Sequence, residues 1–252
     1  MSKEKIIGAL EGPNAKQARE IIAELRGEVG AFKIGLQLFT AAGAALVRET
    51  VEAGIKIFLD LKFHDIPNTT AKASIEAARQ GVWMFNLHAL GGSEMMRRTI
   101  EEVSETCAKE NLAVPKIIGV TVLTSANDET LREGGIETDT KNQVLKLAKL
   151  AAAAGLNGVV ASPHEIKIIR AEITDRNFFI VTPGIRNHKS QTSNFKPSPT
   201  DDQKRTLSAG EAVRDGADYL VIGRPILSSA NLRLAVKEII DDIANQIETE
   251  TI

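Results

Sequence analysis

Cysteine is almost absent from this sequence. Its 252 residues include one cysteine, Cys107, so no intrachain disulfide can form and no cluster of cysteine ligands can hold a metal. A chain without disulfides is typical of a reducing compartment, and we therefore expect a cytoplasmic protein.

Long apolar runs and a surplus of basic charge are also missing. The N-terminal apolar run Ile6–Leu10 is too short for the core of a signal peptide, and no later segment reaches membrane-spanning length without charges. The formal net charge is -2 at pH 7. We therefore expect a soluble protein with no membrane or nucleic-acid partner, acting on a small molecule.

The sequence does contain a regular alternation of short β-branched or apolar runs with longer amphipathic stretches. This alternation is typical of α/β proteins with a parallel sheet. The candidate strands, each followed by a helical pattern, are Ile6–Leu10, Ala31–Gly35, Ile55–Leu61, Trp83–His88, Ile117–Leu123, Gly158–Ala161, Phe178–Thr182 and Tyr219–Ile222. Eight such units predict a closed (β/α)8 barrel, with residues 1–252 as a single domain.

Helix-start signals support this count. Ser162-Pro163-His164-Glu165 offers a capping serine, a first-turn proline and a glutamate, and Ser208-Ala209-Gly210-Glu211 repeats the serine and glutamate pair. The alternative fold is an open doubly wound sheet. Its glycine-rich turn after the first strand is absent, because that position reads Glu11-Gly12-Pro13-Asn14, and the barrel is favoured.

The longest irregular stretch is Asn187–Asp202, after the seventh strand. It is rich in Ser, Thr, Asn and Pro. Loops of this length inside a compact domain are usually functional lids or disordered segments. Because the loops after strands seven and eight of such barrels often bind phosphate, we expect this loop on the phosphate side of a site.

The third strand ends in a cluster of charges. Because side chains alternate along a strand, Asp60 and Lys62 should share one face, Asp65 follows in the loop, and Lys33 ends the second strand. An ion-pair network that only closes the barrel is one interpretation. The carboxyl ends of barrel strands are where active sites lie, which favours a catalytic role.

Five segments, taken in their order along the chain, resemble the orotidine 5′-phosphate decarboxylase family. The segment DLKFHDIPNT, Asp60–Thr69, is similar to the signature of that family. The other four are Phe32–Gly35, Val120–Ser125, Thr182–Arg186 and Val221–Ile226. Aspartate, lysine and aspartate in this spacing also occur in related sugar-phosphate enzymes, whereas all five segments together are highly specific.

The resemblance implies a decarboxylation of orotidine 5′-phosphate to UMP that uses no cofactor and no metal. Lys62 would stabilise the carbanion at C6 and deliver the proton, as a general acid and an electrostatic stabiliser. Asp60 would lie against the substrate carboxylate. Asp65 would complete the array from the neighbouring subunit, so the resemblance implies a homodimer.

The resemblance also implies how the substrate is held. Arg224, the backbone at Gly223 and Gln203 would bind the phosphate, Arg186 would contact the ligand, and Thr124 would bind the pyrimidine edge. The full set of substrate-binding residues that it implies is Glu11, Lys33, Asp60, Thr69, Thr124, Pro183, Arg186, Gln203, Gly223 and Arg224.

One position departs from the pattern of the family. The first strand of the family ends in Ala-Leu-Asp, with the aspartate on a ribose hydroxyl, whereas this chain reads Ala9-Leu10-Glu11. Glutamate keeps the acceptor and extends the reach by one methylene. Either the backbone adjusts at Gly12 or the grip on ribose is weaker.

Two other functions stay open at this point. One is a magnesium-dependent sugar-phosphate decarboxylase or synthase of the same superfamily, which would lose activity in a chelator. The other is a barrel that binds phosphate without catalysis. His64 and His88 each lack a second histidine at ligand spacing, so we expect structural or hydrogen-bonding roles for them.

Overall fold

The eight predicted strands form a closed parallel barrel. The computed structural model describes residues 2–12, 14–186 and 206–248. The strands are β1 (Ile6–Leu10), β2 (Ala31–Gly35), β3 (Ile57–Phe63), β4 (Met84–His88), β5 (Lys116–Val120), β6 (Gly158–Val160), β7 (Phe179–Thr182) and β8 (Tyr219–Ile222). Each pairs in parallel with the next, and β8 pairs with β1. This arrangement confirms the predicted (β/α)8 barrel.

Helices follow the strands around the barrel. In the described residues the α-helices are α1 (Ala15–Leu25), α2 (Leu36–Glu52), α3 (Pro67–Arg79), α4 (Gly92–Glu110), α5 (Asp128–Glu133), α6 (Thr140–Ala154), α7 (Ile166–Glu172), α8 (Ala209–Arg214), α9 (Arg224–Leu227) and α10 (Leu232–Glu248). None of these helices is long and apolar enough to cross a membrane.

The alternation of side chains along the strands divides the core into two layers. One set of side chains fills the inside of the barrel, and the larger set packs between the strands and the helices. The inner set is Ile7, Ala9, Ala31, Phe58, Met84, Ile118, Val181 and Val221. These side chains make the inside of the barrel a packed apolar core.

Both helix starts that the sequence indicates are present. Ser208 Oγ accepts from Glu211 N–H at 3.2 Å, and the Glu211 carboxylate accepts from Ser208 N–H at 2.9 Å, just before α8. Pro163 begins a short 3-10 turn, and Glu165 Oε2 accepts from Ser162 N–H at 2.8 Å. These hydrogen bonds satisfy backbone N–H groups that a helix start leaves without partners.

Several predicted strand boundaries were wrong by one to three residues. Strand β5 ends at Val120 and not at Leu123, because the regular pairing with β6 ends at that residue. Strand β3 begins two residues later than predicted and continues to Phe63. The predicted loop 187–202 lies outside the described residues.

Strand β3 contains a bulge where the sequence pattern indicates simple alternation. Leu59 pairs with Phe85 of β4, but Phe63 pairs with Leu87, so four steps along β3 face two steps along β4. At Lys62 the backbone has φ +53, in the left-handed region that residues other than glycine rarely adopt. The bulge lies at the carboxyl end of the strand, where the predicted catalytic residues are.

Candidate active site

The carboxyl end of the barrel opens into a cavity of about 320 Å³. This volume is in the range of small-molecule sites. Of the residues that the sequence assigns to the site, those that line the cavity are Glu11, Lys33, Asp60, Lys62, Thr124, Pro183, Arg186, Gly223 and Arg224. The fold therefore brings together the ends of β1, β2, β3, β7 and β8 and the segment after β5.

Asp60 lies between two lysines at the base of this cavity. Lys62 Nζ donates to Asp60 Oδ1 at 2.6 Å, and Lys33 Nζ lies 3.0 Å from Asp60 Oδ2. The side chain of Asp60 is 12% exposed, that of Lys62 is 27% exposed and that of Lys33 is 15% exposed. Each carboxylate oxygen therefore has its own cation, and Lys62 is the more accessible of the two.

The environment of Asp60 favours its charged form. Burial by itself raises the pKa of Asp60, but the charges of Lys33 and Lys62, with hydrogen bonds from Lys62 and Asn86, outweigh burial and lower the pKa to about 2. Asp60 is therefore a carboxylate at every pH at which the protein would work, and it holds the ammonium group of Lys62 in a fixed place.

Asn86 is a site residue that the sequence analysis missed. Its side chain is fully buried inside the barrel on β4, its Nδ2 donates to Asp60 Oδ1 at 2.7 Å, and its Oδ1 accepts from the Lys62 backbone N–H at 2.8 Å. The signal was the alternation in Met84-Phe85-Asn86-Leu87-His88, which places an amide on the same inward face as Met84.

The Lys62 ammonium reaches Asp60 from an unusual backbone conformation. A left-handed conformation costs a residue other than glycine roughly 1–2 kcal/mol, so the surrounding contacts must hold it. Simple alternation along the strand correctly placed Asp60 and Lys62 together, but the geometry that joins them is the bulge and not a regular strand.

Glu11 follows β1 and lies against Gly223. A Cβ built on Gly223 would lie 2.3 Å from Glu11 Oε1 and 2.8 Å from its Cδ. The two residues come together because β1 pairs with β8. The longer glutamate side chain is therefore accommodated by the absence of a side chain at residue 223.

The remaining cavity residues of the predicted site follow β5, β7 and β8. Thr124 belongs to the segment after β5, Pro183 and Arg186 follow β7, and Arg224 is the first residue of α9 after β8. Among the described residues that line the cavity, Arg186 and Arg224 are the arginines.

Two of the predicted residues that the structure describes, Asp65 and Thr69, do not line this cavity. Asp65 is exposed in the loop before α3, where its Oδ1 accepts from Ile66 N–H at 2.6 Å, and Thr69 is exposed in the first turn of α3. Gln203 lies outside the described residues.

The two histidines near the site contact each other. The rings of His64 and His88 have centroids 5.4 Å apart at an interplanar angle of 39°. Burial lowers the pKa of His88, and the nearby His64 and Lys62 lower it further, against an opposing effect of Asp60. In the described part of the chain, no three His, Cys, Asp or Glu side chains are grouped as metal ligands would be.

Comparison with known proteins gives this geometry a context. Residues 4–239 match the family described as Orotidine 5'-phosphate decarboxylase / HUMPS. The chain belongs to this family. The match confirms the family that the five sequence segments indicate.

Relatives of similar length support this membership. An orotidine 5'-phosphate decarboxylase of Syntrophotalea carbinolica is 47% identical over 247 residues, which are 98% of this chain and 98% of the relative. One of Geobacter sulfurreducens is 48% identical over 96% of this chain and 97% of the relative. The crystal structure of orotidine 5'-phosphate decarboxylase from Lactobacillus acidophilus superimposes with a TM-score of 0.81 at 33% identity, covering 94% of this chain and 98% of that one.

Proposed function

We propose that this member of the family decarboxylates orotidine 5′-phosphate to UMP, with Lys62 as the acid. The observation that carries the proposal is the array of Lys33, Asp60 and Lys62 at the base of a cavity of ligand size. The relatives at 47% and 48% identity are named for this activity. Their similarity over nearly the whole chain favours it over the magnesium-dependent sugar-phosphate reaction.

The main requirement of the proposed step is stabilisation of the negative charge that develops at C6. The bond between C6 and the carboxylate breaks, CO₂ leaves, and the electron pair stays on C6, where the pyrimidine ring delocalises it poorly. The ammonium group of Lys62 stabilises this developing charge and then gives its proton to C6, which yields UMP. Lys62 regains a proton from solvent, so the step balances without a cofactor.

Asp60 has two roles in this scheme. It lies against the leaving carboxylate of the substrate, and it orients Lys62 through the 2.6 Å hydrogen bond. Because the lysines and Asn86 keep Asp60 ionised, the array is charged before the substrate arrives, as electrostatic preorganisation requires. We assign orientation of Lys62 as the main contribution of Asp60.

The charge of the cavity suits a substrate with a phosphate and a carboxylate. Among the described lining residues, the cations are Lys33, Lys62, Arg186 and Arg224, and the carboxylates are Glu11 and Asp60. We assign the phosphate to Arg224, Arg186 and the backbone at Gly223, with Gln203 from the loop. A guanidinium binds phosphate oxygens through two parallel hydrogen bonds, which suits Arg224 for this end.

We assign the middle of the ligand to the remaining residues of the cavity. Thr124 and Pro183 would contact the pyrimidine, and Glu11 and Lys33 would bind the ribose hydroxyls. The proximity of the Glu11 carboxylate to Gly223 and its place in the lining of the cavity support this assignment. Thr69 would contact the ligand of a neighbouring subunit.

We further propose a homodimer in which Asp65 completes the site of the partner. Asp65 is exposed, does not line the cavity of its own chain and precedes Ile66, which is 66% exposed. Leu90, after β4 on the same end of the barrel, is 52% exposed. Large apolar side chains exposed beside an acidic group are typical of a surface that a partner covers.

We also propose that the protein is cytoplasmic.

The test is an assay of metal-free purified protein with orotidine 5′-phosphate, following the pyrimidine absorbance. We expect conversion to UMP at the same rate with and without a chelator. Activity that disappears in the chelator would support the magnesium-dependent relative instead. Tight binding of UMP without turnover of orotidine 5′-phosphate would support a barrel that binds phosphate only.

A further inference from the structure

Asn86 is the single described side chain that is hydrogen-bonded to both members of the pair formed by Asp60 and Lys62. Its amide nitrogen donates to the Asp60 carboxylate at 2.7 Å, and its amide oxygen accepts from the Lys62 backbone N–H at 2.8 Å. Asn86 is fully buried. A buried amide uses its hydrogen-bonding groups where they have partners, and here two of its bonds go to the reacting pair.

The bulge in β3 explains why Lys62 needs such a partner. Between Leu59 and Phe63 the strand has four steps against two in β4, so regular pairing with β4 is interrupted at Lys62. The Lys62 N–H is there bonded to a side chain and not to the backbone of β4. Residues in the left-handed conformation persist only where their surroundings hold them, and the Asn86 oxygen is such a contact.

The second bond of Asn86 fixes the other partner. Asp60 Oδ1 accepts both from Asn86 Nδ2 and from Lys62 Nζ. The carboxylate therefore cannot rotate away from Asn86 without breaking one of these bonds. One rigid amide thus sets the backbone from which Lys62 extends and the carboxylate to which its ammonium group is bonded.

We propose that Asn86 is a positioning residue for the decarboxylation, acting on Lys62 through its backbone and on Asp60 through its carboxylate. The inference rests on the proposed function. Asn86 does not line the cavity, so its effect is on the geometry and ionisation of the pair and not on substrate contact. Its loss should therefore lower kcat much more than it raises KM.

Two variants of Asn86 separate its two bonds. Asn86→Leu keeps a side chain of similar size and removes both bonds, and we expect kcat to fall roughly 10²-fold, as for a misplaced catalytic group, with little change in KM. Asn86→Asp retains an acceptor for Lys62 but puts a second carboxylate beside Asp60. In that variant we expect the pKa of Asp60 to rise and the acidic limb of kcat to move to higher pH.

Asn157→Leu is the matched control. Asn157 Oδ1 accepts from the Ile117 backbone N–H at 2.7 Å, which is also a bond from a side-chain amide to a strand, but at the start of β5 and away from the cavity. We expect Asn157→Leu to lower the melting temperature without changing the pH profile of kcat. A kcat in Asn86→Leu within threefold of the control would overturn the proposal.

A measurement on the wild-type chain covers the case in which the variants fail to fold. Hydrogen exchange of the Lys62 amide should be slow in the wild-type protein, because its N–H is bonded to Asn86, and fast exchange there would overturn the proposal. Turnover by the wild type is measured first in the same assay. Its absence would refute the proposed function, whereas wild-type turnover with an unaffected Asn86→Leu would refute only the role of Asn86.

Discussion

The carboxylate of Glu11 occupies the space in which residue 223 would carry its side chain. A Cβ on Gly223 would lie 2.3 Å from Glu11 Oε1, a distance that forces the glutamate to move. The glutamate that departs from the pattern of the family and the glycine at the proposed phosphate end therefore occupy adjoining space. Their coupling can be measured.

We expect Gly223→Ala to lower kcat/KM more in the wild-type background than in the Glu11→Asp background. The added methyl group displaces the glutamate from the ribose, whereas aspartate is one methylene shorter and leaves room for it. The measurement is a double-mutant cycle on kcat/KM. Gly134→Ala, whose Cβ would meet no atom closer than 3.4 Å, is the control.

If the two substitutions act independently, their fold-changes in kcat/KM multiply. That result would contradict the coupling. The single variant Glu11→Asp is also informative. An unchanged or reduced kcat/KM would indicate that the longer side chain is already well placed for the ribose, and an increase would indicate that aspartate is the better length.

Removing Lys33 should raise the pKa of Asp60 from its value of about 2. Burial, which raises this pKa, would remain, while one of the two attracting charges would be lost. We expect carbon-13 NMR titration of the carboxyl group in Lys33→Met to give a higher midpoint than in the wild type. Lys56→Met, on a lysine that is not bonded to Asp60, should leave the midpoint unchanged.

The same shift predicts a pH dependence of stability. Because the folded state lowers the pKa of Asp60 from 3.8 to about 2, its contribution of about 2 kcal/mol is complete above pH 3.8 and is lost as the pH falls through about 2. In Lys33→Met the folded pKa lies closer to 3.8, so the contribution should be smaller and its loss should be complete at a higher pH than in the wild type. Urea unfolding curves between about pH 2 and 5 test this, and equal pH dependence in both proteins would contradict it.

His88 should make the protein less stable in mild acid. Burial, with the charges of His64 and Lys62, lowers its pKa from 6.5, so its contribution to stability is complete above pH 6.5 and falls as the pH drops through the lower folded value. We expect the free energy of unfolding to fall less between pH 7.5 and 5.5 in His88→Gln than in the wild type. His164→Gln, on an exposed histidine, should behave as the wild type.

If Asp65 acts across a dimer interface, two inactive variants should complement each other. Asp65→Ala and Lys62→Ala are mixed after reversible dissociation, and each hybrid dimer then has one complete site. In a two-fold dimer, random exchange restores about a quarter of wild-type activity. Refolding each variant alone is the control, and absence of recovery in mixtures that contain hybrid dimers would contradict the exchange of Asp65.

The sequence was sufficient for the fold because the barrel repeats one simple pattern. Strands β1, β2 and β8 have the predicted boundaries, since each is a short apolar run ended by glycine, a charge or a turn. Strand β3 differs because its bulge depends on pairing with β4, which no local pattern records. The boundary of β5 differs because apolar residues continue past Val120 into the segment that lines the cavity.

The candidate site was predictable where its residues belong to recognisable segments. Lys33, Asp60, Lys62, Arg186 and Arg224 line one cavity as the resemblance to the family implies. Asn86 was not found because its role arises from a contact between strands and from the unusual backbone of Lys62. The roles of these residues, and the contribution of Asp65 to a partner, stay predictions until the variants are measured.

The central claim is that Lys62 supplies the proton to C6, and its most direct test is the turnover of orotidine 5′-phosphate by Lys62→Ala. The control is Lys56→Ala, which removes an exposed lysine that does not line the cavity. We expect the control to match the wild type, and Lys62→Ala to bind UMP but lose at least roughly 10²-fold in kcat, the effect of removing a general acid. Wild-type turnover in Lys62→Ala would contradict the account.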